Sequence, residues 1–134
     1  MDTQQLHFPS KQENIVVVEN LIDDICSKYK VNEDYYGNIL IAVTEAVNNA
    51  INHGNKQDPE KEVNVDFSLK DGKTLSFKVK DQGAGFDFEN IPDPTDPENL
   101  EKINGRGVFL MKNLADEVEF DDEGRMVELS FKIQ

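Results

Sequence analysis

The chain has few basic residues, and this shortage limits the partners that it can have. It carries 14 lysines and arginines against 27 aspartates and glutamates, which gives a formal net charge of −13. A surface this acidic repels phosphate backbones and anionic lipid, so we expect neither a nucleic-acid partner nor a membrane partner. A phosphate-bearing ligand would need a local device such as backbone N–H groups, a cation or a few placed basic side chains.

Cysteine and long apolar runs are also scarce. Cys26 is the only cysteine, which excludes an internal disulfide, and its apolar helical surroundings favour core packing over chemistry. No run approaches the roughly twenty apolar residues that span a bilayer. Residues 1–5 lack the basic and then apolar layout of a secretory signal, so we expect a cytoplasmic protein.

The length and the hydrophobic fraction indicate the scale of the fold. A chain of 134 residues can bury one core but has little room for a second unit, so we expect a single domain over residues 1–134. The hydrophobic fraction of 37% and the clear periodic segments argue against disorder, despite 31% charged residues.

Apolar periodicity predicts helices packed against a mainly antiparallel or mixed sheet. Ser10 and Asn32 are the predicted N-caps of the first two helices, and Gly54 is predicted to end the second. The predicted elements are, in order, a strand at 6–9, helices at 11–29 and 33–53, a hairpin at 63–79 turning at Asp71-Gly72, a helix at 106–114, and strands at 117–120 and 126–133. The order predicts an α+β fold, a two-layer sandwich with about three helices on one face of the sheet.

A ladder of polar residues lies inside the apolar pattern of the second predicted helix. Glu45, Asn49 and His53 recur every four residues, so on a helix they share one face. An amide oxygen suits Mg²⁺, and a carboxylate one turn away could orient or deprotonate a nucleophile. Taken alone, the ladder is equally consistent with a solvated polar face.

Two glycine pairs supply the other local signals. Asp81-x-Gly83-x-Gly85 follows a predicted strand, where an aspartate can accept a hydrogen bond from a heterocycle's amino group and glycines allow close approach. Gly105-Arg106-Gly107 opens a predicted helix, where exposed N–H groups favour phosphate, and Lys102 would add positive charge. A simple turn and a flexible loop end are the alternatives.

The order of these signals resembles the Bergerat-fold ATPases, the GHKL superfamily of gyrase, heat-shock chaperone, histidine-kinase and mismatch-repair ATPases. The three motifs match the N, G1 and G2 boxes of that superfamily, and the resemblance extends from Phe8 to Ile133. Residues 44–54 and 105–111 are most similar to the stand-alone anti-sigma-factor serine/threonine kinases. The pair Gly105 and Gly107 is less glycine-rich than the phosphate loop of some relatives.

The resemblance implies a role for each matching position. Asn49 would ligate Mg²⁺, Glu45 would act as the general base, and Asp81 would bind the adenine amino group. Residues 86–104 would form a lid over ATP. The nucleotide-binding set that we expect is Asn48, Asn49, His53, Asp81, Gly83, Gly85, Phe86, Lys102, Gly105, Arg106, Gly107 and Val108.

The resemblance also implies an activity and its partners. The chain would use ATP/ADP and Mg²⁺, transfer the γ-phosphate to a serine or threonine of a small anti-anti-sigma-like protein, and bind a sigma factor or another regulator, with a homodimer as a reasonable assembly. A nucleotide-gated binding switch without turnover is the alternative, and the presence of both Glu45 and Asn49 favours the enzyme. A domain that has lost nucleotide binding is disfavoured by Asp81 and Gly85.

Overall fold

The apolar residues of the strands and helices come together in one core between two layers. The computed structural model describes residues 3–83, 103–121 and 125–133, and within them five strands form one sheet and three α-helices pack on it. The elements are β1 (Thr3–Pro9), a 3-10 turn (Gln12–Asn14), α1 (Ile15–Lys28), α2 (Glu33–Asn49), a π turn (Ala50–Gly54), β2 (Glu62–Lys70), β3 (Thr74–Lys80), α3 (Ile103–Leu114), β4 (Glu117–Asp121) and β5 (Met126–Lys132).

The sheet follows from strict alternation of apolar and polar residues. The strand order is β1-β2-β3-β5-β4, and each described pair of neighbours is antiparallel. The register aligns apolar residues across the strands, so that Phe77 lies opposite both Phe67 and Leu129. All three are buried beneath the helices. The predicted α+β two-layer sandwich is therefore confirmed.

The hairpin between β2 and β3 turns where the sequence predicts it. Asp71 and Gly72 both have left-handed φ angles, 56° and 67°, and the Lys73 N–H donates to the Lys70 carbonyl over 3.1 Å. Positive φ at both central residues is typical of the type I′ turn that suits the twist of paired strands.

Of the two predicted helix caps, one is confirmed and one is wrong. The Asn32 side chain accepts a hydrogen bond from the Asp34 N–H over 2.9 Å and caps α2. Ser10 does not cap α1, because a 3-10 turn intervenes and Asn14 occupies the N-cap position. The Ser10 hydroxyl instead donates to the Lys61 carbonyl in a buried network that joins β1 to the segment before β2.

The single cysteine packs in the core, as predicted. Cys26 is buried on the inner face of α1, together with Ile22 and Ile25. Burial, reinforced by the negative charge of Asp23, raises the pKa of its thiol to about 11. The thiol form is therefore favoured at neutral pH, which together with burial in the core argues against Cys26 as a nucleophile.

The second and third helices differ from their predicted bounds. The α-helical part of α2 ends at Asn49, not His53, and the chain continues as one π turn in which the Asn55 N–H donates to the Ala50 carbonyl over 2.8 Å. The third helix starts at Ile103, three residues before the predicted Arg106. None of the described helices is long and apolar enough to cross a membrane.

Candidate functional site

The end of the π turn touches the end of β3 at Gly54 and Asp81. A Cβ atom placed on Gly54 would lie 2.3 Å from the Asp81 Cγ atom and 2.4 Å from its Oδ2 atom. Real Cβ atoms essentially never come this close to another heavy atom. Gly54 does not adopt a left-handed backbone, so its missing side chain matters for space and not for conformation. The carboxylate of Asp81 therefore lies directly against the helix terminus.

Gly83 closes the same contact from the other side. A Cβ atom on Gly83 would lie 1.8 Å from the Gly54 carbonyl oxygen, closer than any side chain allows. The Gly83 N–H also donates to the Asp81 Oδ1 atom over 2.8 Å. Glycine is thus required at this position for close approach of the protein's own helix terminus, whereas the predicted approach of the backbone to a ligand stays a prediction.

The base turn, which we define as residues 81–83, is held by hydrogen bonds from two directions. On one side the Gln82 N–H donates to Asn55 Oδ1 over 2.7 Å. On the other side the Asp81 N–H donates to the Arg125 carbonyl over 2.9 Å, and Arg125 Nε donates to the Gly83 carbonyl over 2.7 Å. The backbone of the base turn is therefore held from both sides, and the Gly83 N–H holds the Asp81 carboxylate.

Asn55 joins this turn to the start of the structure. Its side chain is buried, and its Nδ2 atom donates to the Ser10 hydroxyl over 2.7 Å and to the Glu62 carbonyl over 3.0 Å. Since its Oδ1 atom accepts from Gln82, both ends of the amide have partners, as a buried amide requires. Asn55 thus ties β1, β2 and the base turn to the end of the π turn.

Glu45, Asn48 and Asn49 lie on the last turns of α2, and all three are half-buried. Glu45 and Asn49, four residues apart on a regular α-helix, share one face. In the part of the chain that the structure describes, no three His, Cys, Asp or Glu side chains form a metal cluster. A magnesium ion held at Asn49 would therefore take most of its oxygen ligands from phosphate and water, which is how Mg²⁺ is commonly bound at phosphate sites.

His53 lies in the π turn, one residue before Gly54. Its Nε2 atom is buried and has no hydrogen-bond partner among the described residues. Burial lowers the pKa of the imidazole, so the neutral form is favoured. π turns occur frequently at functional sites, and this one brings Gly54 against Asp81 and Gly83 of the base turn.

Several predicted site residues lie where no side chain is described. Gly85, Phe86 and Lys102, with most of the expected lid, fall outside the described residues. Gly105, Arg106, Gly107 and Val108 are described only as helical backbone within α3. The prediction that a glycine pair opens this helix is therefore corrected, because the helix begins at Ile103. Only the first four N–H groups of a helix, here those of 103–106, lack an acceptor within it.

Three residues of the site escaped the sequence analysis. Gly54 was interpreted only as a helix terminator, and Asn55 and Arg125 were assigned to a loop and a turn. The asparagine directly after the helix-ending glycine was a weak signal for Asn55. Arg125 could have been found from strand pairing alone, since β5 lies beside β3 and starts where β3 ends.

Comparison with known proteins shows the family to which the chain belongs. The sequence model of the histidine kinase-like ATPase domain matches residues 8–131. The chain is 27% identical to the serine-protein kinase RsbW of Oceanobacillus iheyensis, over 96% of this chain and 85% of that protein. It is 30% identical to the serine-protein kinase RsbW of Listeria innocua, over 92% of this chain and 82% of that protein.

Two solved structures share the fold. The structure of the RsbU and RsbW domains of a Mycobacterium tuberculosis protein aligns with a TM-score of 0.68 and 12% identity, over 100% of this chain and 32% of that one. The histidine kinase domain of a blue-light activated kinase from Erythrobacter litoralis aligns with a TM-score of 0.54 and 20% identity, over 93% and 61%. With the match over residues 8–131 and the Listeria relative, these findings show that the chain belongs to the histidine kinase-like ATPase family, in the branch of the RsbW serine-protein kinases.

Proposed function

We propose that this chain is a Mg²⁺-dependent protein kinase that transfers the γ-phosphate of ATP to a serine or threonine of a small anti-anti-sigma-like protein. We propose further that it sequesters a sigma factor or another regulator. One observation carries the proposal: the Asp81 carboxylate packs against Gly54, at the end of the helical segment that also carries Glu45 and Asn49. This packing supports the proposal, because it puts the carboxylate proposed for base recognition at the end of the helical segment that carries the residues proposed for phosphate chemistry.

The base turn would recognise adenine. Asp81 is almost fully buried, and a buried carboxylate discriminates strongly between a donor and an acceptor on its ligand. The exocyclic amino group of adenine is a donor, whereas guanine has a carbonyl oxygen at the corresponding position. This chemistry favours ATP over GTP.

The last turns of α2 would handle the transferred phosphate. Asn49 would hold Mg²⁺, which when bound neutralises charge on the phosphate oxygens. Glu45 would accept the proton of the serine or threonine hydroxyl while the hydroxyl oxygen forms a bond to the γ-phosphorus. At the same time the bond between the γ-phosphorus and the β–γ bridging oxygen would break, and ADP would leave. The backbone N–H groups of 103–106, at the positive end of the α3 dipole, would bind phosphate on a chain with little positive charge.

The test is a phosphotransfer assay. The purified chain is incubated with γ-labelled ATP, Mg²⁺ and small candidate proteins encoded nearby, and label is sought on serine or threonine. We expect labelled partner with the wild-type chain and with Glu60→Gln, an exposed carboxylate outside the site. We expect none with Glu45→Gln, whose ATP affinity should stay within about twofold because the base acts on the hydroxyl.

Each other outcome has a defined meaning. Complex formation without label selects the nucleotide-gated binding switch. A fully active Glu45→Gln variant removes Glu45 as the base. Equal ATP affinity in Mg²⁺ and in excess chelator contradicts the metal assignment, because the acidic chain needs a cation to hold a triphosphate.

A further inference from the structure

We propose that Arg125 is a positioning residue that sets the geometry of the base turn and thereby the preference for adenine over guanine. This inference rests on the proposed nucleotide binding. It goes one step further, because it assigns the selectivity between adenine and guanine to a residue that is distant in sequence from the base turn. Arg125 matches none of the three motifs and is separated from Gly83 by 42 positions.

Strand pairing brings Arg125 to the site. β3 and β5 are antiparallel neighbours, and Lys80 at the end of β3 lies opposite Met126 at the start of β5. One further step along each strand places Asp81 beside Arg125, where the Asp81 N–H donates to the Arg125 carbonyl over 2.9 Å. The backbone contact continues the sheet by one residue, and this sets the distance between the arginine and the base turn.

The side chain of Arg125 then closes a ring of hydrogen bonds. Its Nε atom donates to the Gly83 carbonyl over 2.7 Å, and the Gly83 N–H donates to Asp81 Oδ1 over 2.8 Å. Both the peptide before Gly83 and the peptide after it are thereby held, one by the Asp81 carboxylate and one by the Arg125 guanidinium. Because Nε belongs to a rigid planar group, this contact restricts the turn more than a flexible donor would.

This ring of hydrogen bonds holds the Asp81 carboxylate, the group that would recognise the base. Asn55 holds the turn at Gln82 from the side of the helix, and Arg125 holds it at Gly83 from the side of the sheet. If the Arg125 contact is removed, the Gly83 peptide can rotate and its N–H no longer fixes the Asp81 carboxylate. Selectivity for adenine needs that carboxylate in register with a donor on the ligand, because a misplaced acceptor loses its discrimination. Phosphate affinity depends on α2 and α3 and should change little.

The test compares two nucleotides on three proteins. ATP and GTP dissociation constants are measured by titration calorimetry in Mg²⁺ for the wild-type chain, for Arg125→Gln and for Lys78→Gln. Lys78→Gln is the matched control, since it removes one positive charge from an exposed side chain of β3. We expect Arg125→Gln to weaken ATP binding at least tenfold and GTP binding less than threefold, whereas Lys78→Gln keeps the wild-type ratio.

The ratio separates positioning from a general structural role. A variant that is only less stable has a smaller folded fraction, so its apparent affinity for ATP and its apparent affinity for GTP fall by the same factor. The ratio of its two dissociation constants then stays at the wild-type value. An unchanged ATP-to-GTP ratio in Arg125→Gln overturns the inference while leaving the proposed function intact. A wild-type chain that binds neither nucleotide overturns both.

A second variant covers the case in which Arg125→Gln does not fold. Arg125→Lys keeps the charge and one donor but lacks the planar Nε group. We expect the ratio of its ATP dissociation constant to its GTP dissociation constant to rise by about twofold to threefold, between the wild-type chain and the glutamine variant. A wild-type ratio in Arg125→Lys also overturns the requirement for the guanidinium.

Discussion

Gly54 shows how a single residue can make a site by what it leaves out. A Cβ atom on Gly54 would overlap the Asp81 carboxylate, and the Gly54 carbonyl oxygen occupies the space that a Cβ atom on Gly83 would need. Sequence alone predicted both Asp81 and Gly83 as site residues, because they belong to a recognisable motif. It did not predict the role of Gly54, because the contact joins segments that are distant along the chain.

A pair of glycine substitutions on the same helical segment tests this account. We expect Gly54→Ala to destabilise the protein by about 1–3 kcal/mol, since the added methyl group must displace the Asp81 carboxylate. Gly37→Ala on α2 is the control, because nothing lies within 4 Å of its added Cβ. It should stabilise the protein by about 0.5–1 kcal/mol. Urea unfolding measures both values, and a neutral Gly54→Ala would show that the close contact does not exist in solution.

His53 should make the stability of the protein depend on pH. Burial holds the pKa of His53 below 6.5 in the folded chain, so the unfolded chain binds a proton more readily. The stability that the neutral side chain contributes is therefore complete above pH 6.5 and falls as the pH drops toward the lower folded pKa. Between pH 7.5 and 5.5 the wild-type chain should therefore lose more stability than His53→Gln. Parallel pH profiles of the two proteins, measured by urea unfolding, would contradict the assignment.

At the scale of elements, helix ends were harder to predict than helix existence. All three helices and all five strands were expected from apolar periodicity, which reports burial directly. The Asn32 cap was recognisable because capping is a local interaction. The π turn after Asn49 and the buried Ser10 hydroxyl were not, because both depend on the network around Asn55, which forms only when the sheet and helices have packed.

The C-terminal end of α1 allows a test of how much its left-handed cap contributes to the stability of the protein. Lys30 has a left-handed φ of 52°, and its N–H donates to the Ser27 carbonyl while the Val31 N–H donates to the Cys26 carbonyl. This is the Schellman pattern, in which glycine is the preferred residue. Lys30→Gly should stabilise the protein by about 0.5–1 kcal/mol because it relieves the left-handed strain. Lys28→Gly, two residues earlier and inside the helix, should cost about 1 kcal/mol. Thermal unfolding compares them, and two changes of the same sign would contradict the turn geometry.

At the scale of the whole molecule, the two faces of the sheet differ in polarity. The helices cover the apolar face of the sheet, and the opposite face is polar, with Glu128 bonded to Ser76 and Lys70. Burial tends to raise the pKa of Glu128, but these two hydrogen bonds and the lysine charge outweigh it, so the net shift is downward. The negative formal charge of the chain makes backbone N–H groups and a bound cation the reasonable means of holding phosphate. The single domain, the cytoplasmic location and the homodimer stay predictions.

The candidate site was predictable only for those residues that belong to local sequence motifs. Helical and strand periodicity place Glu45 and Asn49 on one helix and Asp81 at a strand end, and the family resemblance implies their roles. Asn55 and Arg125 were not, because they act through hydrogen bonds across 27 and 42 positions of sequence. The residues proposed to bind a ligand were thus named from the sequence and stay predictions, whereas the residues that hold the base turn required the three-dimensional pairing.

The measurement that tests the central claim most directly is calorimetric titration of the chain with ATP in Mg²⁺, alongside Asp81→Asn. The asparagine can still accept the hydrogen bond from the Gly83 N–H, so the base turn should keep its shape while the carboxylate is lost. We expect the wild-type chain to bind one ATP and the variant to bind at least about tenfold more weakly. A wild-type chain that does not bind ATP, or an Asp81→Asn variant that binds it equally well, would contradict the account.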